Sequence, residues 1–360
     1  MREVKLVRGA RQLLTLRGPN GPRRGADLRN LGIIQDGAVL IARGLIVEVG
    51  PTRRLENLAL ARDAEEIDAT GCVVMPGLVD SDIQLVKEPA RDLTPRAIRA
   101  AALRELEDAV RCGTTAMEAK AGELKTLRVY AALRELPLTL VSTFAASDVS
   151  SESCERLLPL LRRRKLADFA EIGCQDGPIL AKAQELGWPL KLRGSSNPGA
   201  IATAVQIGAT AVKGLFTATE YDAMLLAQSP AIVTLSPGFA AHGETTHAVP
   251  SRVLIDSGAA VALASAGQAS NLQMTIGLAC RDMNMTPAEA IAAATINGAH
   301  AIGRARRVGS IEAGKSADLA ILGVPDYREL PYHFGVNLVN MAMIRGLVRV
   351  ERSEVKWPAS

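Results

Sequence analysis

From residue 74 onward the chain repeats one rhythm: a short apolar run, a polar or glycine-containing break, then a longer stretch with apolar residues at helical spacing. The runs that read as strands are Val74–Val79, Thr114–Ala119, Leu138–Thr143, Phe169–Ile172, Leu190–Arg193, Thr210–Lys213, Ala231–Leu235 and Val261–Ala264. Helical stretches such as Pro95–Arg111, Glu152–Leu166, Ile179–Leu186 and Pro198–Ile207 fall between them. Two more, Leu272–Met283 and Pro287–Asn297, follow the last strand. Eight buried-looking strands with intervening helices predict an α/β fold of the (β/α)8 barrel type.

The first part of the chain has a different pattern. Residues 4–16 alternate loosely and read as a strand. Ile33-Ile34, Ala38–Ile41 and Leu45–Gly50 are short β runs divided by Asp36-Gly37 and Arg43-Gly44, which are hairpin signals. Glu65–Met75 adds a further strand around Thr70-Gly71. β character returns at Ala317–Leu322, Leu338–Arg345 and Leu347–Val350. Residues 1–75 therefore predict a small antiparallel lobe that the C-terminal segment completes. The expected organisation is a composite β-sandwich lobe from 1–75 with 305–360, and a barrel from 76–304.

The stretch Val73–Gln84 joins the two parts. Apolar residues lead into Pro76-Gly77, and a second apolar step ends in Asp80-Ser81-Asp82-Ile83-Gln84. Residues i and i+2 of a strand share a face, so Asp82 and Gln84 are expected to point together at the strand's C-terminal end.

Composition narrows the function classes. A chain of 360 residues holds one large barrel and a smaller lobe with a well-buried core. With 48% hydrophobic and 22% charged residues, long disorder is excluded. A net charge of +4 is too mild to imply nucleic acid, and Arg23-Arg24 and Arg162–Lys165 read as solvated surface. Aromatics at 3% leave no material for a nucleobase-stacking platform. Five cysteines without a C-x-x-C spacing suggest reduced thiols in a cytoplasmic protein and no zinc knuckle. The N-terminus lacks the apolar core of a signal peptide, and no apolar run approaches the ~20 residues of a membrane helix.

Several motifs carry a more specific resemblance. Pro76-Gly77-Leu78-Val79-Asp80-Ser81-Asp82-Ile83-Gln84 resembles the first barrel strand of the amidohydrolase superfamily, Pro-Gly-Leu-(Ile/Val)-Asp-x-His-x-His. Ala10–Leu16, Asn30–Ile34, Gly113-Thr114-Thr115 with Glu118-Ala119-Lys120, Val141–Phe144, Ala293–Asn297, Gly309–Leu319 and above all Pro325–Asn337 resemble imidazolonepropionases over nearly the full length. The resemblance implies a metal-dependent barrel hydrolase using zinc or iron, a homodimer, and opening of an imidazolone ring in histidine degradation.

It also implies where the chemistry should sit, and those positions hold other residues. The two metal-binding histidines of the first strand fall at Asp82 and Gln84. The fifth-strand motif Lys-Leu-His-Ala-Asp-Glu reads Lys191-Leu192-Arg193-Gly194-Ser195-Ser196, which puts Arg193 at the metal histidine and Ser196 at the acid. The sixth strand, ending Val212-Lys213-Gly214, offers no histidine, and the eighth-strand aspartate falls at Ala266. The substrate histidine of the third strand falls at Asp148, and a substrate tyrosine at Glu123. Only a short stretch separates Gln84 from Thr94, so a substrate-gripping segment of the family is expected to be deleted.

A catalytic metal centre needs about three protein ligands and an open position for water. Arginine cannot lose its proton in a protein and alanine has no lone pair, so no metal is expected here. Charged and polar groups nevertheless gather at the expected barrel mouth: Asp82, Gln84, Glu118, Lys120, Asp148, Arg193 and Lys213. Such residues form either an ion-pair plug or a site for a small anionic ligand. Arg193 is expected to stand in for the metal, meeting Asp82 and Glu118. A new metal pair from His242 and His247, and a nucleophile at Cys174, are weaker alternatives to a solvent-facing loop and a structural thiol. The expected function is that of an inactive imidazolonepropionase homologue with a binding or regulatory role, a homodimer or a partner of an active relative. The alternative is a hydrolase of cyclic amides or other non-peptide C–N bonds with a rearranged or metal-free site.

Overall fold

The apolar run around Pro76-Gly77 is two strands that belong to different sheets. The computed structural model describes residues 4–87, 90–146, 149–194, 199–215, 218–237, 251–266, 270–352 and 354–356. One strand ends at Pro76 and the next begins at Leu78. Gly77 sits between them because a Cβ there would lie 2.1 Å from Thr115 Oγ1. Its N–H donates to the Asp318 carbonyl in the lobe, while Leu78 N–H donates to Gly113 in the barrel. The single strand expected at Val74–Val79 is thus divided by the change of sheet.

The strands in chain order are β1 (Val4–Leu14), β2 (Ile33–Ala42), β3 (Leu45–Pro51), β4 (Glu65–Asp68), β5 (Val73–Pro76), β6 (Leu78–Ile83), β7 (Thr114–Ala121), β8 (Thr139–Ala145) and β9 (Phe169–Gly173). They continue as β10 (Leu190–Arg193), β11 (Ala211–Lys213), β12 (Ile232–Leu235), β13 (Ala260–Leu263), β14 (Leu319–Leu322), β15 (Val339–Ile344), β16 (Leu347–Glu351) and β17 (Glu354–Val355).

Strands β6 to β13 lie side by side in sequence order, each paired in parallel with the next. Helices cover them, as the long connections of parallel strands require. The helix Pro95–Arg111 shows why the sequence folds so. Thr94 caps it by accepting from Ala97 N–H, proline occupies its first turn, and Ile98, Ala102, Leu106, Ala109 and Val110 bury one stripe.

Between β13 and β6 the closure is made largely by side chains. Ser81 Oγ donates to the Leu263 carbonyl at 3.0 Å. Ser265 donates to Asp80 twice, from its N–H at 3.1 Å and from its Oγ at 2.5 Å. Ala266 N–H donates to the Asp82 carbonyl at 2.9 Å, with Ala266 in the left-handed region at φ 52. The helix Pro287–Ala293 is followed by a separate helix, Ile296–Ala301, where one continuous helix was expected. The break falls at Thr295, whose backbone leaves the helical region and whose Oγ1 bonds back to Ile291. Buried Asn297 in the second helix holds Arg23 and the Val261 carbonyl together.

The second sheet is built from both ends of the chain, in the order β17-β16-β15-β14-β5-β1-β2-β3, with β4 also beside β1. It is mixed, not antiparallel throughout: β4 and β5 both run parallel to β1. The reason is the connection after β3. It passes through short helical turns at Thr52–Leu55 and Ala59–Ala61 before β4, a crossover and not a hairpin. Val7, Leu13, Val39 and Ile41 from the first part pack with Leu319, Ile321 and Met343 from the last. No helix among the described residues is long and apolar enough to cross a membrane.

Candidate functional site at the barrel mouth

The C-terminal ends of β6, β7, β9, β10 and β11 deliver charged side chains inward. In a parallel barrel every second residue of a strand faces the interior. That spacing places Glu118 with Lys120 on β7, and Lys191 with Arg193 on β10.

Four of these groups form a closed loop of alternating charge. Lys213 Nζ donates to Asp82 Oδ2 at 2.7 Å and lies 3.1 Å from Glu171 Oε1. Lys120 Nζ lies 3.1 Å from the same Asp82 oxygen and donates to Glu171 Oε2. Each lysine therefore bridges both carboxylates, and each carboxylate bridges both lysines. The side chain of Glu171 is only 3% exposed, Lys120 11% and Asp82 13%, while Lys213 is half-buried at 21%.

A second pair lies deeper. Lys191 donates to Glu118, which is fully buried and also accepts from Thr143 Oγ1 at 2.7 Å. The Lys191 ammonium stands over the Phe169 ring, 4.4 Å from its centroid. Three carboxylates, Asp82, Glu118 and Glu171, thus meet three ammonium groups, Lys120, Lys191 and Lys213.

The electrostatics follow from this closure. Burial disfavours charge on Asp82 and Glu171, but Lys120 and Lys213 outweigh it and hold both carboxyls below the usual range. Burial likewise opposes the charge on Lys120, yet Asp82, Glu171 and Glu118 together raise its affinity for the proton. For Lys191 burial wins and its proton is held less tightly than usual, although Glu118 acts the other way. Asp80, below the loop at the barrel closure, is a different case. Burial pushes its carboxyl up to about 6 despite the bonds from Ser265 and from Asp82 N–H.

The residues expected at the mouth divide as follows. Asp82, Lys120 and Lys213 come together in the loop, and Glu118 lies beneath it with Lys191. Gln84 falls one residue beyond β6, is exposed, and donates to the Val86 carbonyl. Arg193 ends β10 with its side chain exposed. The cations that close on Asp82 and Glu118 are lysines, in place of the Arg193 contacts expected from the sequence. The inward charge on β10 comes two residues earlier, at Lys191. Asp148, His242 and His247 lie outside the described residues, as does Ser196.

Cys174 Sγ lies 3.1 Å from the Gly194 carbonyl and 3.5 Å from Gln175 Oε1, a hydrogen-bonded thiol. His300 is in the helix Ile296–Ala301, where burial and the nearby Lys315 and Arg23 hold it down at about 4. His333 lies on the surface 3.4 Å from Glu329. Among the described residues, no group of three or more His, Cys, Asp or Glu side chains is arranged to hold a metal ion. Glu171 and Lys191 were not anticipated. Their signal was present as a charge inside an apolar run, in Phe169-Ala170-Glu171-Ile172 and Leu190-Lys191-Leu192.

Comparison with known proteins agrees with this architecture. The sequence profile of the amidohydrolase family matches residues 197–348. The imidazolonepropionase of Geobacillus kaustophilus is 34% identical, with 97% of this chain and 98% of that protein covered. That of Alkaliphilus metalliredigens is 30% identical, with 97% and 99% covered. The chain belongs to the imidazolonepropionase family. The alignment with the Geobacillus kaustophilus protein spans 418 positions and this family member has 360 residues, so the relative carries segments without a counterpart here. Among solved structures, E. coli guanine deaminase superposes with a TM-score of 0.77 at 17% identity, covering 98% of this chain and all of that one. Aspergillus niger ochratoxinase gives the same score and identity over 97% of this chain and 96% of its own. These two likenesses concern the fold.

Proposed function

We propose that this imidazolonepropionase-family chain does without the family's metal, does not open the imidazolone ring, and acts as a binding or regulatory protein. The observation that carries this reading is the state of Asp82. Its carboxylate already accepts from Lys213 and faces Lys120, both from inside the barrel.

The residues at the family's ligand positions do not fit zinc or iron. Such a metal would supply a Lewis acid and an activated water. Gln84 is neutral and turned to Val86, Arg193 is a permanent cation, and Ala266 offers only a methyl group and an N–H directed at the Asp82 carbonyl. A dication would also have to displace two ammonium groups from the one remaining acid. The alignment length supports loss of a substrate-gripping segment as well. What the mouth retains is a closed set of ion pairs in which Lys120 and Lys213 face Asp82 and Glu171, an arrangement that supports a plugged centre. An active relative of the same family is the partner most consistent with a regulatory role.

The test is an imidazolonepropionate ring-opening assay on the purified chain, with and without added zinc or iron. No turnover above background is expected in either condition. Turnover near a typical enzyme's ~10 per second with metal would overturn the reading. Turnover that survives chelation would favour a metal-free hydrolase.

A further inference from the structure

We propose that the face of the barrel opposite the mouth is a docking surface for a short acidic segment of a partner protein. That face lies at the other end of the barrel from the ion-paired loop, so its occupation is independent of what the mouth does.

The fold joins there two basic runs that are far apart in the chain. The run 162–165 closes the helix Ser151–Arg163, is basic throughout and is exposed. A helix C-terminus accounts for one or two such cations. Three more arginines come from the run 304–307, which follows the helix Ile296–Ala301. Asp168, one residue before β9, ties the two runs together. Arg304 Nη2 meets its Oδ1 at 2.7 Å, and Arg134 Nη2 meets its Oδ2 at 2.7 Å. Arg134 Nη1 also donates to the Lys165 carbonyl at 3.0 Å. Arg134 precedes β8 and the run 162–165 precedes β9, so the cluster sits at the N-terminal ends of the barrel strands.

The charge of this face is concentrated. The segments 134–138, 162–168 and 303–307 carry eight basic side chains and two acids, Glu135 and Asp168. That is more positive than the whole chain, whose net charge is +4, so the rest of the molecule is slightly acidic. A long polyanion would run off the face onto a surface that repels it, whereas a short segment meets only the cations.

The side chains point to carboxylates as the anions. All the cations but Lys165 are arginines, whose planar guanidinium can hold a carboxylate by two parallel bonds. Asp168, held between two of them, shows arginines of this face gathered on a carboxylate. Nucleobases would need an exposed aromatic ring to stack on, and Trp188 is buried with the Arg162 guanidinium 5.4 Å over it. A membrane would need an apolar anchor, and among the described residues no exposed large hydrophobic side chain lies in these segments.

The experiment titrates a labelled oligoglutamate peptide with the purified chain in fluorescence anisotropy, at low and at high salt. An oligouridylate of equal charge, and vesicles of phosphatidylserine and phosphatidylcholine in equal parts, are measured beside it. Two variants reverse the same number of exposed charges: Arg163→Glu/Arg164→Glu/Arg306→Glu on this face, and Arg96→Glu/Arg99→Glu/Arg104→Glu on the helix Pro95–Arg111. The unaltered chain should bind the peptide, and more weakly as salt is added. The first variant should lose at least about tenfold in affinity, and the second, with the same net charge, should keep it. Thermal melts check that both fold. If the first does not, Arg163→Gln/Arg164→Gln takes its place and should weaken binding in smaller measure. Equal loss in both charge-reversed variants would reduce the effect to net charge and overturn the proposal. So would an unaltered chain that does not bind the peptide, or that binds the oligouridylate or the vesicles more tightly.

Discussion

Ser265 Oγ donates to Asp80 Oδ2 at 2.5 Å, across the place where the last barrel strand meets the first. Both side chains are buried, and the Ser265 N–H donates to the other Asp80 oxygen. The barrel is therefore closed partly by a carboxylate that its surroundings disfavour as an anion.

That position has a signed pH dependence. The folded-state value for Asp80 is about 6 against 3.8 ordinarily, so between those values the folded chain holds the extra proton. Stability from this group is greatest below the lower value and falls as pH rises through the window, by at most about 3 kcal/mol. Asp80→Asn should flatten the slope of unfolding free energy between about pH 4 and about pH 6 and raise stability at neutral pH. Denaturant unfolding at a series of pH values measures it, and an unchanged slope would refute it.

Asp82 and Glu171 should behave in the opposite sense. Their carboxyls are held below the ordinary range by Lys120 and Lys213. Their contribution is present above the ordinary carboxylate range, about 4, and is lost as pH falls below it. In Lys213→Gln the acid limb of the stability curve should move toward neutral pH, because one cation of the loop is gone. Superimposable acid limbs would count against the loop.

Glu118 and Lys191 make a buried pair, and removing one partner strands the other. Glu118→Gln should cost about 3–5 kcal/mol, and Glu118→Gln/Lys191→Met should recover much of that loss. Because burial already loosens the Lys191 proton, the single variant should be hurt less at alkaline pH, where Lys191 can shed its charge. Thermal melts at two pH values give the comparison.

Arg193→Ala should be mild. The side chain is exposed at the end of β10, and the acids it was expected to serve are held by lysines. A change below about 1 kcal/mol is expected, as for surface charges generally. A large drop in melting temperature would reinstate Arg193 as the central cation.

The family resemblance predicts a homodimer. Exposed Tyr332, Phe334 and Val336 occupy a segment anchored by Asn337 to the Arg111 carbonyl and to Gln273. Light scattering at micromolar concentration should give twice the chain mass, and Tyr332→Asp with Phe334→Ser should halve it. A monomer before substitution would refute this.

The barrel was readable because its strands are mainly apolar runs bounded by glycine and polar breaks. Pro95–Arg111 was readable to the residue, since Thr94, Pro95 and a regular apolar stripe all agree. The site was readable only as a collection. Sequence spacing puts Lys191 and Arg193 on one face but does not say which is deep and which reaches solvent. Nor does it say that Lys213 meets Asp82, since that depends on how eight strands stagger around a closed barrel. Asp80 reads as part of a motif, and only the fold shows Ser265 opposite it. β6 stops at Ile83, so Gln84 lies beyond the strand on whose alternation its expected place depended.

The interior charges are also divided unevenly along the chain. Asp82, Glu118 and Glu171 all belong to the first four barrel strands, with only Lys120 to offset them, whereas Lys191 and Lys213 come from the fifth and sixth. During synthesis the interior face of the first half of the barrel therefore emerges short of cations, and its counter-charges arrive with the second half. Neither half can dry its own interior alone. The two are complementary only in these interior charges, which match in one register, so a half cut between β9 and β10 should not fold by itself.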